Sequence, residues 1–275
     1  MSTRACAKRI AWGLWPRGNL SFPYFGSRVH FPRDSLIFRL ACESGIYEPQ
    51  IVNLVNRLLA PNSVYLDVGA NIGLMSVAAL ASRPDCRVIS VEASPATLTH
   101  LNRTHAANSS NKRWTIVATA LGRRSGEATF YEGTSQGGAM DGLRDTGRGG
   151  KKQGIKVPVT TLDQVWIDLG RPNISAIKID IEGGERDALA GAEACLSALH
   201  PSIVLEWSRL NLPSYGVAEC WLLEFAKQYG YSVFSVPGYA EVRSAIEISL
   251  RMLETETFVL VAPQAPAFAV QGNSP

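Results

Sequence analysis

The sequence predicts an α/β fold in which a mostly parallel sheet is covered by helices on both faces. From about residue 48 onward, short apolar segments alternate with segments whose apolar residues repeat at helical spacing. Such alternation is typical of sheets built from strand–helix–strand units. Ligands of these sheets bind beyond the carboxyl ends of the strands, where the strand order reverses. We therefore expect the functional residues at the strand ends.

The first half of the chain predicts three strands with helices between them. Residues 51–58 form an apolar helical face, and Pro61 follows the expected helix end. The strand "SVYLDV" leads into a helix through "IGLMSVAALAS", with Asn71 as its expected N-cap. The strand "RVISVE" leads into a helix that begins at Ser94 and Pro95. A third strand is predicted in "WTIVATAL".

The second half begins with a change of pattern. "EATFYE" and "GIKVPVT" alternate polar and apolar residues and predict a hairpin pair. Between them, residues 133–154 contain eight glycines in 22 positions, which predicts a mobile loop in a place common for substrate lids. The alternating pattern then resumes with helix "TTLDQVWIDLG", strand "AIKIDI", helix "ERDALAGAEACL", strand "SIVLE", a helix near 217–229, and strands "YSVFSV" and "TFVLVA".

Composition excludes several function classes. The 27 basic and 24 acidic residues give a net charge of +3, so nucleic acid is not an expected partner. The five cysteines include no C-x-x-C pair, which argues against disulfides or a zinc site and favours a cytoplasmic location. No segment has the roughly 18 to 20 consecutive apolar residues of a membrane span. We expect an ordinary globular protein without a membrane span.

A glycine-rich turn carrying a carboxylate follows the strand "SVYLDV". Asp67, Gly69, Asn71 and Gly73 form D-x-G-x-N-x-G, whereas a dinucleotide-binding turn reads G-x-G-x-x-G. A carboxylate about 4–6 Å from a pyrophosphate would repel it, and this turn has no Lys or Arg to offset the charge. The pattern suits a ligand that brings a cation and no phosphate. S-adenosylmethionine, with its ammonium and sulfonium groups, is such a ligand.

A second acidic residue ends the next strand of the pattern. Glu92 lies 25 residues after Asp67, where a carboxylate commonly accepts hydrogen bonds from ribose hydroxyls. Glu92 alone fits NAD equally well, but Asp67 together with Glu92 favours the methyl donor. A nucleotide-dependent dehydrogenase is therefore the least favoured enzyme class.

The strand end in "IKIDIEGGE" is the candidate catalytic site. Alternation puts Lys178, Asp180 and Glu182 on one side, and Glu206 ends the neighbouring strand. Asp180 is the first candidate for a general base, Lys178 would keep it ionised or polarise the acceptor, and Glu206 is the next candidate. Glu182 is expected to orient the following turn or contact the substrate.

A purely structural ion pair between Lys178 and one of these carboxylates stays an alternative. Asp180 and Glu206 could hold a divalent ion, but we assign no metal.

Five segments together resemble one family. "GIYEPQ", "LDVGANIG", "VPVTTLD", "IKIDIEGGE" and "IVLEW", in this order and spacing, resemble the FkbM-type S-adenosylmethionine-dependent methyltransferases over residues 34–262. The resemblance implies a Rossmann-like class I methyltransferase fold. Its sheet would have seven mostly parallel strands in the order 3-2-1-4-5-7-6, with the last strand antiparallel.

The resemblance also implies roles for individual residues. Asp67, Gly69, Asn71 and Gly73 would hold the methionine part of the cofactor, and Glu92 its ribose. Residues beside ribose and adenine would be Ala93, Ser94, Ala120 and Leu121. Tyr47 and Glu48 would cover the cofactor and contact the substrate.

The predicted organisation is an N-terminal extension and cap (1–47), a methyltransferase domain (48–262) and a flexible tail (263–275). The expected activity is O-methylation of a hydroxyl in a sugar, glycan or secondary metabolite, so the expected partner is a small-molecule or glycan acceptor. The alternatives are N-methylation of a small-molecule amine, or a non-catalytic module that keeps the fold. The sequence predicts neither the acceptor nor the oligomeric state.

Overall fold

The structure is a computed structural model, which describes residues 20–33, 35–108, 111–133 and 138–263. The expected flexible tail lies outside these residues except for its first position. Within the described ranges, no helix combines the length and apolar character needed to cross a membrane.

A seven-stranded sheet forms the centre of the fold and confirms the predicted mostly parallel sheet. One strand is antiparallel to both of its neighbours, and the other six run in one direction. That strand is β12 (Thr257–Val261). The others are β3 (Val64–Val68), β4 (Arg87–Glu92), β5 (Trp114–Ala118), β9 (Ile174–Ile179), β10 (Ser202–Glu206) and β11 (Ser232–Val236).

The strands of this sheet lie in the order β5-β4-β3-β9-β10-β12-β11. The predicted order numbers only the strands of the central sheet. The labels used here number all strands of the described chain, and five of these belong to two other sheets. Numbered within the central sheet alone, the strands read 3-2-1-4-5-7-6. The order reverses between β3 and β9, so the ends of these two strands border the crevice where ligands of such sheets bind.

Two smaller sheets flank the central one. β1 (Ser21–Tyr24) and β2 (Ser27–His30) form a hairpin, and β6 (Ala120–Leu121) pairs with β8 (Lys152–Thr160). β8 also pairs antiparallel with β7 (Gly126–Gly133), which confirms the predicted hairpin pair. Because the strands include Gly133 and residues 152–154, the connection between them is shorter than the predicted loop 133–154.

Ten helices of the described chain surround the sheets: α1 (Leu36–Ser44), α2 (Pro49–Leu58), α3 (Leu74–Ser82), α4 (Pro95–Ala106), α5 (Leu162–Asp168), α6 (Glu185–Ala190), α7 (Glu193–Leu199), α8 (Leu212–Tyr215), α9 (Trp221–Tyr229) and α10 (Ala245–Arg251). The single helix predicted over 185–196 is wrong, because the chain turns at Gly191. A Cβ there would lie 2.3 Å from the carbonyl oxygen of Gly122, so this close backbone approach needs glycine. The helix predicted near 217–229 begins only at Trp221.

Both predicted N-caps can be compared with the structure. Ser94 caps α4, since its hydroxyl accepts a hydrogen bond from the Thr97 N–H. The prediction for Asn71 is wrong: Gly73 occupies the N-cap of α3, and the Asn71 side chain accepts from the N–H of Ile72 instead. Asn71 is thereby held in the turn that follows β3.

Apolar side chains pack on both faces of the sheet. Along β3, Leu66 and Val68 join the cluster on one face and Tyr65 joins the cluster on the other. Asp67 shares the face of Tyr65, because side chains alternate along a strand. In the β3–β9 pairing, Asp67 stands opposite Lys178. Two opposite charges are therefore neighbours inside the sheet.

Gly69 fixes the turn after β3 against the end of β9. Its φ is +79°, and a Cβ would lie 1.9 Å from the Asp180 carbonyl oxygen. Gly170 has nearly the same φ, +80°, but no atom within 4 Å of such a Cβ.

We expect Gly170→Ala to lower the free energy of unfolding by about 1–2 kcal/mol from the left-handed backbone alone. Gly69→Ala should cost about 1–3 kcal/mol more from overpacking. Urea denaturation of both variants measures this difference, and equal losses would contradict it.

Candidate active site

A cavity of about 350 Å³ opens beyond the carboxyl ends of β3, β4, β9 and β10. It lies where the strand order reverses, as the sequence predicts. The sequence-predicted residues among those lining it are Tyr47, Glu48, Gly69, Asn71, Glu92, Ala93, Ala120, Leu121, Lys178, Asp180, Glu182 and Glu206. Residues from widely separated parts of the chain thus meet at one site.

Glu92 is the central acceptor at one end of this cavity. One carboxylate oxygen accepts the N–H of Asn71 at 2.9 Å, and the other accepts those of Ala93 and Ser94, both at 2.8 Å. Burial raises the pKa of Glu92 to about 7, against the lowering effect of these three N–H groups. A carboxylate has about four acceptor positions, so at least one remains for a ligand hydroxyl.

Three residues on the cavity wall hold strained backbone. Glu48, Asn71 and Glu182 have φ values of 42°, 49° and 58°, a region that residues other than glycine seldom adopt. Each such residue costs of order 1–3 kcal/mol and persists where the surrounding structure enforces it, which is common at functional sites. All three were predicted from sequence as site residues, without any signal for this strain.

Three predicted cofactor residues do not line the cavity. Asp67 is fully buried beneath it, where its carboxylate accepts hydrogen bonds from Ser76 at 2.5 Å and Tyr65 at 3.3 Å. Gly73 lies in the helix start, close against Leu101 and Trp114. The Ser94 hydroxyl donates to Glu132 at 2.5 Å.

The sequence predicts that Asp67 contacts a ligand cation directly. The buried position of this carboxylate does not allow such a contact. Because side chains alternate along β3, this carboxylate lies on the face of Tyr65, where Ser76 of α3 contacts it. Its charge acts on the site through Lys178, the residue opposite it in β9.

Lys178 and Asp180 form an ion pair at the other end of the cavity. The Lys178 ammonium donates to Asp180 at 2.8 Å, and the lysine side chain is only 8% exposed. Burial alone would raise the pKa of Asp180, but the Lys178 charge and hydrogen bonds from Glu206 and Lys178 hold it below its usual range. Asp180 is therefore ionised.

Glu206 behaves in the opposite way. Burial, together with the charges of Asp180 and Glu182, raises the pKa of Glu206 well above its usual value, and its hydrogen bond with Asp180 raises it further. Of this pair, Glu206 therefore holds a proton more readily than Asp180. Two neighbouring carboxyl groups whose pKa values are shifted in opposite directions are an arrangement suited to proton transfer.

Glu182 lies next to this pair and has two partners that the sequence did not predict for it. Its Oε2 accepts hydrogen bonds from Asn211 at 3.0 Å and from Arg148 at 3.2 Å. Burial and the Asp180 charge raise the pKa of Glu182 to about 7. Carboxylate oxygens of Asp180, Glu182 and Glu206 lie within 4.8 Å of one another, a spacing that could also hold a metal ion. Arg148 contacts two of these three residues.

The N-terminal extension supplies one wall of the cavity. Tyr47 and Glu48 hydrogen-bond to each other, and burial followed by the Glu48 charge raises the pKa of Tyr47 well above its usual value. Beside them, α1 contributes three apolar side chains: Leu36, Ile37 and Leu40. This helix is not among the elements predicted from the sequence, although its one-sided apolar pattern could have indicated it.

Comparison with known proteins identifies the family. The family model described as the methyltransferase FkbM domain matches residues 67–233, well over half of the chain. The chain belongs to the FkbM methyltransferase family. This membership confirms the predicted S-adenosylmethionine-dependent methyltransferase class.

Similar individual proteins cover parts of this FkbM methyltransferase. AMB antimetabolite synthetase AmbE of Pseudomonas aeruginosa is 27% identical over 58% of this chain, which spans only 9% of that protein. A methyltransferase FkbM structure from Methylobacillus flagellatus KT has a TM-score of 0.47 and 16% identity, covering 82% of this chain and 52% of its own. A precorrin-6y C5,15-methyltransferase from Geobacter metallireducens GS-15 has a TM-score of 0.43 and 14% identity, covering 78% and 88%.

If Glu92 accepts hydrogen bonds from the cofactor ribose, as the sequence predicts, cofactor binding should depend on pH. A ribose hydroxyl donates best to the ionised form, and the pKa of Glu92 in the free protein is about 7. The affinity for S-adenosylhomocysteine should therefore be full above pH 8 and fall about tenfold per pH unit well below pH 7. Calorimetric titration between pH 5.5 and 8.5 measures this change.

Variants of two equally buried glutamates separate the role of Glu92 from general stability. Glu92→Gln should bind S-adenosylhomocysteine more weakly at pH 8 and lose the pH dependence. Glu132 is also 8% exposed, but it bonds Ser94 and the Ala96 N–H rather than facing the cavity. Glu132→Gln should keep the pH dependence of the affinity. A wild-type affinity that is constant with pH would contradict the assignment of Glu92.

Proposed function

We propose that this chain transfers the methyl group of S-adenosylmethionine to a hydroxyl oxygen of a sugar, glycan or secondary metabolite. The observation that carries the proposal is the position of Asp180 on the cavity wall, bonded to Lys178 at 2.8 Å and clustered with Glu182 and Glu206. An alcohol holds its proton firmly, so its oxygen becomes a good methyl acceptor only when a base can take that proton during transfer. Asp180 is such a base.

The opposite end of the cavity fits the cofactor. Glu92 would accept from the ribose, Gly69 and Asn71 would lie beside the methionine part, and Ala93, Ala120 and Leu121 would flank the adenine. In support, Glu92 keeps an acceptor position on the cavity wall after bonding three backbone N–H groups. The adenine side is apolar, since Ala120 packs in one cluster with Phe130, Ala93 and Leu143. When bound, the cofactor supplies an electrophilic methyl group on a positively charged sulfur.

The residues of the chain would act on the acceptor hydroxyl. Transfer of the methyl group to the acceptor oxygen would leave S-adenosylhomocysteine as the second product. Asp180 takes the hydroxyl proton, and Lys178 holds Asp180 ionised until then. Proton transfer of this kind contributes about 10²–10⁴-fold to the rate, and holding the reactants in line contributes more. Tyr47 and Glu48 would contact the acceptor from the N-terminal side.

The charges of the site favour a hydroxyl over an amine. Asp180, Glu182, Glu206 and Glu48 all face the cavity. Asp180, the carboxyl group of this set whose pKa is lowered, would stabilise a nearby amine in its protonated form, which has no lone pair to accept a methyl group. N-methylation is therefore the second candidate. A non-catalytic module has less support, because buried ionisable groups cost stability and are seldom kept without a use.

Turnover of an Asp180 variant tests the proposal. Wild-type protein is incubated with methyl-labelled S-adenosylmethionine and panels of monosaccharides, nucleotide sugars and polyhydroxylated natural products, and products are detected by mass spectrometry. With an acceptor found in this way, Asp180→Asn should lower turnover at least ~100-fold while keeping S-adenosylhomocysteine affinity within about threefold.

Glu185→Gln is the matched control. Glu185 is buried one turn away, accepts the N–H groups of Ile181 and Gly183, and does not line the cavity. Because burial raises its pKa to about 8, it is largely neutral at pH 7, and glutamine should preserve both fold and turnover. If Asp180→Asn keeps normal turnover but loses the cofactor, Asp180 is a binding residue and Glu206 becomes the candidate base.

A further inference from the structure

We propose that Arg148 is a positioning residue, which the glycine-rich connection between β7 and β8 holds against Glu182 and Glu206 to order the acceptor end of the cavity. The inference rests on the proposed transfer to a hydroxyl. It assigns a reaction-related role to a connection whose composition alone predicts only mobility.

The contacts of Arg148 join two parts of the site. Its guanidinium donates to Glu182 at 3.2 Å and to the Asn211 side-chain oxygen at 3.0 Å, and lies 3.8 Å from Glu206. Asn211 in turn donates to the same oxygen of Glu182 at 3.0 Å. Glu182, Asn211 and Arg148 therefore form a closed ring of hydrogen bonds, with Glu206 at its edge. The Arg148 side chain is 21% exposed, so much of it is shielded from water.

The described part of the connection, residues 138–151, is packed along the cavity. At its beginning, the Asn71 side chain donates to the Gly138 carbonyl oxygen at 3.2 Å. A Cβ on Gly138 would lie 2.5 Å from the Thr97 hydroxyl, so the close approach of residue 138 to Thr97 favours glycine. Further on, Gly142 exchanges two backbone hydrogen bonds with Tyr131 and packs close to Glu182. The connection thus extends from the cofactor turn to the acceptor carboxylates.

The charge balance shows why Arg148 matters there. Among the described residues that line the cavity, the cations are Lys178 and Arg148. The Lys178 ammonium is bonded to Asp180 and also faces Glu48 and Asp67. Arg148 is therefore the cation nearest to Glu182 and Glu206. Removing it would take away the larger of the two cationic charges that lower the pKa of Glu182, since Lys152 has the smaller effect. Carboxylates as close as Glu182 and Asp180 would then repel each other more strongly.

Arg144 provides a matched control in the same connection. Its guanidinium donates to the Ser214 carbonyl oxygen at 3.2 Å and lies over the Tyr215 ring, 5.4 Å from its centre. It is exposed and does not line the cavity. Arg144→Met removes the same charge and length of side chain as Arg148→Met, but not from the carboxylates.

The experiment compares Arg148→Met, Arg148→Lys and Arg144→Met with the wild type. The acceptor is one for which the wild type shows methyl transfer, and the measured quantities are kcat, the acceptor KM, S-adenosylhomocysteine affinity and the pH profile of kcat/KM. Arg148→Met should lower kcat about 10–100-fold, because misplaced groups lose this much, while cofactor affinity stays unchanged. Loss of a nearby cation favours protonated carboxyl groups, so the acidic limb of the profile should move to higher pH.

The charged and titratable groups that act on this cluster are Tyr47, Glu48, Asp67, Lys152, Lys178, Glu182, Glu185 and Glu206. Arg148→Lys keeps the charge and should restore the position of the acidic limb while recovering kcat only in part. Arg144→Met should match the wild type in both quantities. A merely structural role of Arg148 would lower the unfolding temperature without moving the pH profile.

Two results would overturn the inference. One is an Arg148→Met variant whose kcat and pH profile match those of Arg144→Met. The other is a wild type that loses turnover in EDTA and regains it with Mg²⁺, because a cation other than Arg148 would then neutralise these carboxylates. Failure of the proposed function has a different signature: the wild type would itself transfer no methyl group to any hydroxyl acceptor.

Discussion

A buried ammonium group holds the two halves of this site together. Lys178 stands opposite Asp67 in the sheet, bonds Asp180 at the strand end, and faces Glu48 from the N-terminal segment. Moving a single charge out of water costs several kcal/mol even after relaxation, so none of these groups would be stable there alone. Their mutual compensation explains how a sheet interior can carry charge directly beneath a cavity.

The fold was largely predictable because its signals are local. Alternating strands and helices, the glycine turn at Gly69, and the acids that end strands are all visible within short windows of sequence. The end of the cavity at which we propose the cofactor binds shares this property, since Asn71, Glu92 and Ala93 lie in or directly after two neighbouring strands. The direction of the Asp67 side chain was not predicted correctly. Because β3 is buried on both faces, its sequence pattern does not indicate on which face Asp67 lies.

The opposite end of the cavity, at which we propose the acceptor binds, could not be predicted in the same way. Arg148 meets Glu182 and Asn211 across 34 and 63 positions of sequence, from a segment without apolar periodicity. The break at Gly191 likewise follows from a backbone contact with distant Gly122. These features depend on tertiary packing, and local patterns do not encode the partner in such contacts.

The cavity therefore combines a scaffold with two attachments. The central sheet supplies Glu92, Lys178 and Asp180, whereas α1 and residues 138–151 add walls without belonging to that sheet. Substitutions in the attachments need not disturb the hydrogen-bonded ladder on which the chemistry depends. If the proposed function is correct, a mutational library confined to these two segments would vary acceptor range while sparing the proposed catalytic residues. In the same way, duplicated copies of such a chain could diverge in substrate before they diverge in fold.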